Sequence, residues 1–466
     1  MDKEPHVSTS FDHTVVPLDQ LLAEFGEQVV TPDDPRYDEM RAVYPGQFDR
    51  RPAVIVRPKD AAQVARVVSI ARENGCELAV RGGGHSNAAH GVIDGGLVLD
   101  LRDMRELDID VEGRTAWVQG GMSAGEYTHA VVAHGLVTGF GDTGSVGLGG
   151  LTTGGGVGYL VRKHGLTIDD LLAAEVVTAD GQILHTDADT HPDLFWAIRG
   201  GGGNFGVVTR LKFRLHELES IYGGILILPA TAETIEAFVT QAEAAPEELS
   251  TIANIMPAPP MPFLAPEHHG SLVIMAMMVF AGPQEDGERV LAPFRAIAAP
   301  LADMVQQMPY SGVYPPEDPG FHPVASSLTM FADRIDRQAA ETIVKRLTSS
   351  TASMAATQLR VLGGAMARVP VDATAFAHRK SRIMVNLAAI YESPQDAPVH
   401  DAWVAEFADE LRQSDHGAYV NFLADEGEER IRAAYPGATW DRLRAVKTTY
   451  DPTNFFHLNQ NIPPLP

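Results

Sequence analysis

Between residues 52 and 80 the spacing of apolar positions changes twice. PAVIVRP at 52–58 is a short apolar run bounded by prolines and predicts a strand. From Asp60 the spacing becomes Val64, Val67, Val68 and Ala71, one face of a helix that Asp60 caps and Gly75 stops. ELAV at 77–80 is a strand again, and it runs straight into RGGGHS at 81–86. A loop at the carboxyl end of a strand in such a β-α-β unit is where α/β folds bind ligands. GLVLDL at 96–101 and TAWVQGG at 115–121 predict further strands. SAGEYTHAVVAHG at 123–135 predicts a helix with a capping box, Ser123 with Glu126, and a terminating Gly135. AAEVVTADGQILHT predicts a hairpin about Asp180-Gly181. LFWAIRGGGGNFGVVTRLKF predicts a short helix, a glycine turn and an alternating strand. Among the first fifty residues, rich in Pro and Asp, only LDQLLAEFG at 18–26 has a helical pattern.

Near residue 220 the texture changes. Long alternating strands (LVIMAMMVFA at 272–281, ATQLRVLGGA at 356–365, RIMVNLAAIY at 382–391) are separated by amphipathic helices such as TAETIEAFVTQAEA and APVHDAWVAEFADELRQ. This predicts an α+β domain over 221–415, a largely antiparallel sheet with helices on one face and the other face free to cover a site. Its strands offer apolar alternation and few polar landmarks. Residues 416–466 end in a Pro- and Asn-rich stretch that predicts an extended tail. The first domain is thus 1–220, with its core at 48–218.

Glycine changes the picture most: 28 of the 43 glycines fall between Gly82 and Gly206. Glycine at that density costs backbone entropy, which is tolerated where the chain needs positive φ or must approach something closely. Main-chain N–H groups in such turns form nests for anions, so the ligand carries phosphates. Two loops, RGGGHS and GFGDTGSVGLGGLTTGGGVG at 139–158, are far enough apart in sequence to line something long. Neither contains the GK[ST] of a nucleoside-triphosphate loop. The GxGxxG strings here lack the helix and acidic residue of a Rossmann site. His85 stands at the centre of RGGGHS, either as a turn histidine or in contact with whatever the loop holds, and no second ligand at metal spacing accompanies it.

A net charge of -25, with 61 acidic against 36 basic residues, argues against a nucleic-acid partner. The single cysteine, Cys76, allows no internal disulfide and fits a reducing compartment. MDKEPHVSTS lacks the apolar core of a leader, and the longest apolar run is about half of a membrane span. These features lead us to expect a soluble cytoplasmic protein without nucleic-acid or membrane partners; oligomeric state is not legible.

RGGGHS followed by DGGLVLDL, TGSVGLGGLTTGGGVG with VRKHGLT, LFWAIRGGGGNFGVVT, and the tail YDPTNFFHLNQNIPP together resemble the berberine bridge enzyme-like FAD-linked oxidases, with a para-cresol methylhydroxylase-type FAD domain of the vanillyl-alcohol oxidase superfamily. The resemblance runs from about residue 40 to 464. It implies a discontinuous FAD domain, residues 1–220 with 416–466 returning to it, and an inserted substrate domain over the flavin ring. It implies an 8α-histidyl link to FAD through His85. The family's second, cysteinyl link falls on Thr143, so no second tether is expected. The FAD cradle maps to Arg81, Gly82, Gly83, Gly84, His85 and Ser86, to Gly141, Thr143, Val146 and Gly147, to Gly154, Gly155 and Gly156, to Val207, and to Asn459 and Asn461. Val146 occupies the position that in relatives admits oxygen when small, which favours an oxidase releasing hydrogen peroxide.

Two hydroxyl-bearing positions of sugar- and alcohol-oxidising relatives are Asn87 and Phe422 here. Asn386 matches the family's acid or amide base, and Tyr419 and Tyr159 are the nearest phenols, each either a base or a packing residue. His378 and Arg379 resemble an element that shapes the substrate domain. The implied activity is hydride transfer from an amine, an alcohol or another electron-rich C–H donor to FAD. A dehydrogenase with another acceptor and a non-catalytic flavin-binding protein remain alternatives.

Overall fold

The computed structural model describes residues 16–314, 316–318 and 320–466. The opening segment, read above for its lack of a leader, lies outside the described residues.

Three sheets organise the chain. In the first, Val54–Val56, Leu97–Asp100 and Leu78–Arg81 are parallel neighbours, and Val29–Val30 adds an antiparallel edge. The helix Ala61–Glu73 covers it with Val64, Val67, Val68 and Ala71 fully buried, as their spacing requires, and Asp60 caps it by accepting from Gln63 N. The second sheet is antiparallel in the order Leu107–Asp110, Thr115–Gln119, Val207–Arg214, Leu171–Val177, Ile183–Asp187, its last pair being the hairpin about Asp180-Gly181. Packed on it is the helix Ala124–Val132, opened by the Ser123–Glu126 capping box.

The third sheet, eight-stranded and antiparallel, runs Ala302–Asp303, Ile221–Pro229, Leu272–Phe280, Leu249–Pro257, Met354–Val361, Ile383–Tyr391, Val324–Ala332, with Gln306–Met308 beside Ile221–Pro229. Alternate residues of these strands (Ala253, Ile255, Leu359, Val385, Leu387) form one apolar cluster with helices Ala232–Ala244, Gln284–Arg295, Arg337–Thr348 and Ala397–Leu411.

The opposite face turns toward the glycine loops, and buried arginines fix it there. Arg162 donates to the carbonyls of Ala242, Ala245 and Leu249, while Arg379, fully buried, forms a bidentate pair with Asp169 at 2.7 and 2.8 Å. That planar fork matches a carboxylate and sets orientation as well as distance. Arg379 and His378, which resemble an element that shapes the substrate domain, are both buried, and His378 is bonded to the Ala434 carbonyl.

The last fifty residues are less extended than their composition predicts. Helices Glu428–Ala434 and Ala438–Tyr450 precede the tail, and Trp440, Leu443, Val446 and Lys447 form the buried stripe of the second. The chain after Asp451 is extended and lies against the glycine turn at Asn204, whose amide takes Ile462 N and donates to the Gln460 carbonyl. Among the described residues no helix is long and apolar enough to cross a membrane.

Candidate functional site

Strand Leu78–Arg81 delivers RGGGHS to the junction of the three sheets. Arg81 itself is buried; its guanidinium donates to the carbonyls of Met40 and Ala42 and packs under Gly84, so it holds the loop's shape from below. Beyond it, the main-chain N–H groups of Gly82, Gly83, Gly84, His85 and Ser86 find no acceptor among the described residues. Gly84, at φ +78°, takes the left-handed conformation that turns such a run into an anion nest.

The second loop abuts the first without intervening side chains. A Cβ on Gly147 would stand 2.2 Å from Gly83 N, and one on Gly83 2.3 Å from Gly147 N. Gly141 contributes its carbonyl to Tyr314 Oη at 3.2 Å. Thr143 lines a cavity of about 310 Å³ with Tyr44, Asp142, Glu317, Asp318 and Phe321. Val146 is partly buried against the core under the helix Ala124–Val132.

His85 has no packed neighbours along the chain, but it has them from elsewhere. The Tyr44 ring stacks on it with centroids 4.5 Å apart at 20°, and Nε2 lies 2.9 Å from Ser145 Oγ. Burial pushes the imidazole down to about 4, against the opposing pull of Glu317, so it is neutral at physiological pH.

Gly154, Gly155 and Gly156, expected in the cradle, pack against protein. Their Cβ directions meet the Asn421 amide, the rings of Phe376 and Tyr419, and Thr167. Tyr419 Oη accepts from the N–H groups of Gly156 (3.0 Å) and Val157 (3.3 Å) and from Asn421 Nδ2 (3.0 Å). A phenol that accepts three bonds is a fastener for this loop, and its burial pushes its pKa up. Tyr159 is also buried, and burial followed by the Asp142 charge raises its pKa, so it stays protonated.

The sheet face above carries more polar groups than its strands suggested. Cross-strand register aligns Asn254, Gln358, Asn386 and Thr329 in one row over four strands. Gln358 Nε2 donates to Asn254 Oδ1 at 3.0 Å and Gln358 Oε1 accepts from Arg360 Nε at 2.8 Å. Arg360 in turn pairs with Asp142 at 2.6 Å, donates to the Val157 carbonyl, and lies over the Phe422 ring. Asn87 Nδ2 donates to the Phe422 carbonyl at 3.0 Å, so the two positions that lack hydroxyls meet each other. Asn386 Oδ1 and Thr329 Oγ1 are buried without a partner among the described residues. An unmade bond in such a place costs about 1–3 kcal/mol unless a ligand makes it.

At the far side, Val207 opens the strand Val207–Arg214 with its side chain in the core beneath the helix Ala61–Glu73. Asn459 Nδ2 bonds the carbonyls of Gly203 and Phe456, while Asn459 Oδ1 and Asn461 Oδ1 are buried and unpartnered. Unpaired main-chain donors on one side and orphaned amide oxygens on the other fit a long ligand with phosphates and a polar ring system. No group of three or more His, Cys, Asp or Glu that could hold a metal ion occurs among the described residues.

Sequence reasoning missed Arg360, Gln358, Asn254, Asp142, Tyr44, Ser145 and Glu317 as members of this junction. Arg360 had a signal: it is the only charged residue of Met354–Val361, and it is 3% exposed.

Two family models match the chain, the FAD binding domain over residues 52–187 and the berberine and berberine-like segment over 418–463. The uncharacterized FAD-linked oxidoreductase YgaK of Bacillus subtilis is 31% identical over 94% of this chain and 97% of its own length. The (R)-6-hydroxynicotine oxidase of Paenarthrobacter nicotinovorans is 30% identical over 94% of this chain and 96% of its own. The crystal structure of the 6-hydroxy-D-nicotine oxidase from Arthrobacter nicotinovorans superposes with a TM-score of 0.82 at 28% identity, covering 93% of this chain and 97% of that one. With the glycine nest, the sheet above it and the returning tail all in place, the chain belongs to the berberine bridge enzyme-like FAD-linked oxidoreductases.

Proposed function

We propose that this protein is a flavin-dependent oxidase in which a hydride passes from a small organic substrate to FAD joined covalently to His85, dioxygen then reoxidising the cofactor to give hydrogen peroxide. The observation that carries this reading is the run of five acceptorless main-chain N–H groups, Gly82 to Ser86, with a neutral imidazole inside it. The nest would hold the phosphates of the cofactor, and the unpartnered Asn459 and Asn461 oxygens would meet its polar edges. Thr143 offers no thiol, and Cys76 is buried among the apolar residues under the helix Ala61–Glu73, which supports a single tether. Val146, in the second loop and partly buried against the core, is a small side chain at the position that the resemblance ties to oxygen access.

The substrate sits under Asn254, Gln358 and Asn386. These amides orient and hydrogen-bond but do not take a proton at neutral pH. Arg360 is committed to Asp142, and the phenols Tyr419 and Tyr159 are fastened or held protonated. An alcohol needs a base as its hydride leaves, whereas a neutral amine uses its own lone pair, so the site favours amines. The kinship with an enzyme named for oxidising 6-hydroxynicotine supports that preference. The acidic chain with one cysteine suits a cytoplasmic enzyme that works without nucleic acid or membrane.

A panel of cyclic and aryl amines, benzylic alcohols and oligosaccharides, read by peroxide release, tests the proposal. Amines are expected to bleach the flavin absorbance anaerobically and to yield peroxide on aeration. Turnover of sugars or alcohols alone contradicts the amine preference, and bleaching without peroxide assigns a dehydrogenase.

A further inference from the structure

We propose that Ser145 and Glu317 form a proton relay that activates His85 for its bond to FAD; the inference rests on the reading that His85 carries the tether. Glu317 grips Ser145 twice. One carboxylate oxygen accepts from Ser145 N–H at 3.0 Å and the other from the Ser145 hydroxyl. A carboxylate has only acceptors, so the serine proton is committed to it, and Ser145 Oγ must therefore accept from His85 Nε2 at 2.9 Å. This fixes the Nε2–H tautomer and leaves the lone pair on Nδ1, which has no partner among the described residues. Tyr44 stacked on the ring holds its plane.

The stoichiometry of the tether supplies the proton that such a relay would carry. Nδ1 forms an N–C bond to the flavin 8α-carbon, which has released one proton. The electron pair from that carbon's former C–H bond passes to the ring and on to dioxygen, giving hydrogen peroxide. The alkylated imidazole is cationic until Nε2 loses its own proton. That proton moves to Ser145 Oγ as the serine proton moves to Glu317, and both residues are exposed, so it leaves to solvent. The charged and titratable groups facing His85 are Glu317, Arg81 and Tyr44. Arg81 opposes an imidazolium and is engaged elsewhere, which leaves Glu317 as the acceptor.

Full-length protein prepared without flavin, given FAD, separates reversible binding (fluorescence quenching) from covalent attachment (intact mass). Ser145→Ala and Glu317→Gln are expected to bind FAD as the parent does while attaching it about 10²- to 10⁴-fold more slowly, the range for loss of a positioned base. Ser145→Thr restores attachment, and the slow variants accelerate with rising pH as hydroxide substitutes for the relay. Parental rates in both variants overturn the relay while the tether stands, provided His85→Ala carries no adduct. Loss of reversible binding together with the adduct marks a merely structural role and also overturns it. An adduct that persists in His85→Ala removes the tether itself.

Discussion

Replacing Lys447 by methionine is expected to lower stability by about 3–5 kcal/mol, the usual cost of leaving one partner of a buried ion pair alone. Lys447 Nζ is fully buried and makes three bonds: to Asp451 Oδ2 at 2.6 Å, to the Asn204 carbonyl at 2.7 Å and to the Phe456 carbonyl at 2.9 Å. Asp451 is equally buried and accepts the N–H groups of Phe455 and Phe456, both at 2.8 Å. Burial lowers the lysine pKa and Asp451 raises it, and the pair makes the charge tolerable. One ammonium thus ties the last helix, the glycine turn at Asn204 and the start of the tail into one joint. Without it an uncompensated carboxylate remains, and the tail carrying Asn459 and Asn461 loses its anchor. Urea unfolding and flavin content of the purified variant measure the two effects together. A loss below about 1 kcal/mol, the scale of an exposed pair, contradicts this account of the joint.

Gly147→Ala is expected to abolish flavin retention. Its Cβ would lie 2.2 Å from Gly83 N and 3.0 Å from Gly82 C, backbone atoms that yield only if the nest opens. Nothing flexible is available to absorb the clash, because Gly83 meets Gly147 with the same closeness from the other side. Gly150→Ala is the matched control: a Cβ there meets nothing within 4 Å, and the residue lies in the helix Leu148–Thr153, where alanine is preferred to glycine. Retention of flavin is read from the absorbance of purified, desalted protein. A colourless Gly147→Ala beside a yellow Gly150→Ala places the requirement at the loop contact. A yellow Gly147→Ala contradicts it.

Much of this architecture is legible in the order of the amino acids, and what is not legible has physical causes. Val64, Val67, Val68 and Ala71 announce a helix because their period alone decides which face is buried. The hairpin at Asp180-Gly181 follows from Gly181 at φ +81°. The row Asn254–Gln358–Asn386–Thr329 was not readable. Its members lie on four strands, and only the register between strands makes them neighbours. On each strand separately they look like the solvent side of an alternating pattern, yet this sheet buries both faces. The helix Ala438–Tyr450 was hidden by the charged residues between Trp440, Leu443 and Val446 and by the Pro and Asn that follow it. Glu317 sits in PPEDP, a segment with no period, so nothing in the chain says that it reaches Ser145. Gly154, Gly155 and Gly156 carry the reverse lesson. Glycine density marks close approach, but here the approaching partners include Asn421, Phe376 and Thr167 of the same chain.

The bond between His85 and the flavin is the central feature of the proposed enzyme. Intact-protein mass spectrometry after acid denaturation tests it directly, comparing the parent with His85→Ala. The parent is expected to carry one FAD and the variant none, with reversible yellow colour as its only remaining flavin. A parent at the mass of the bare polypeptide, or a variant that keeps the adduct, contradicts it.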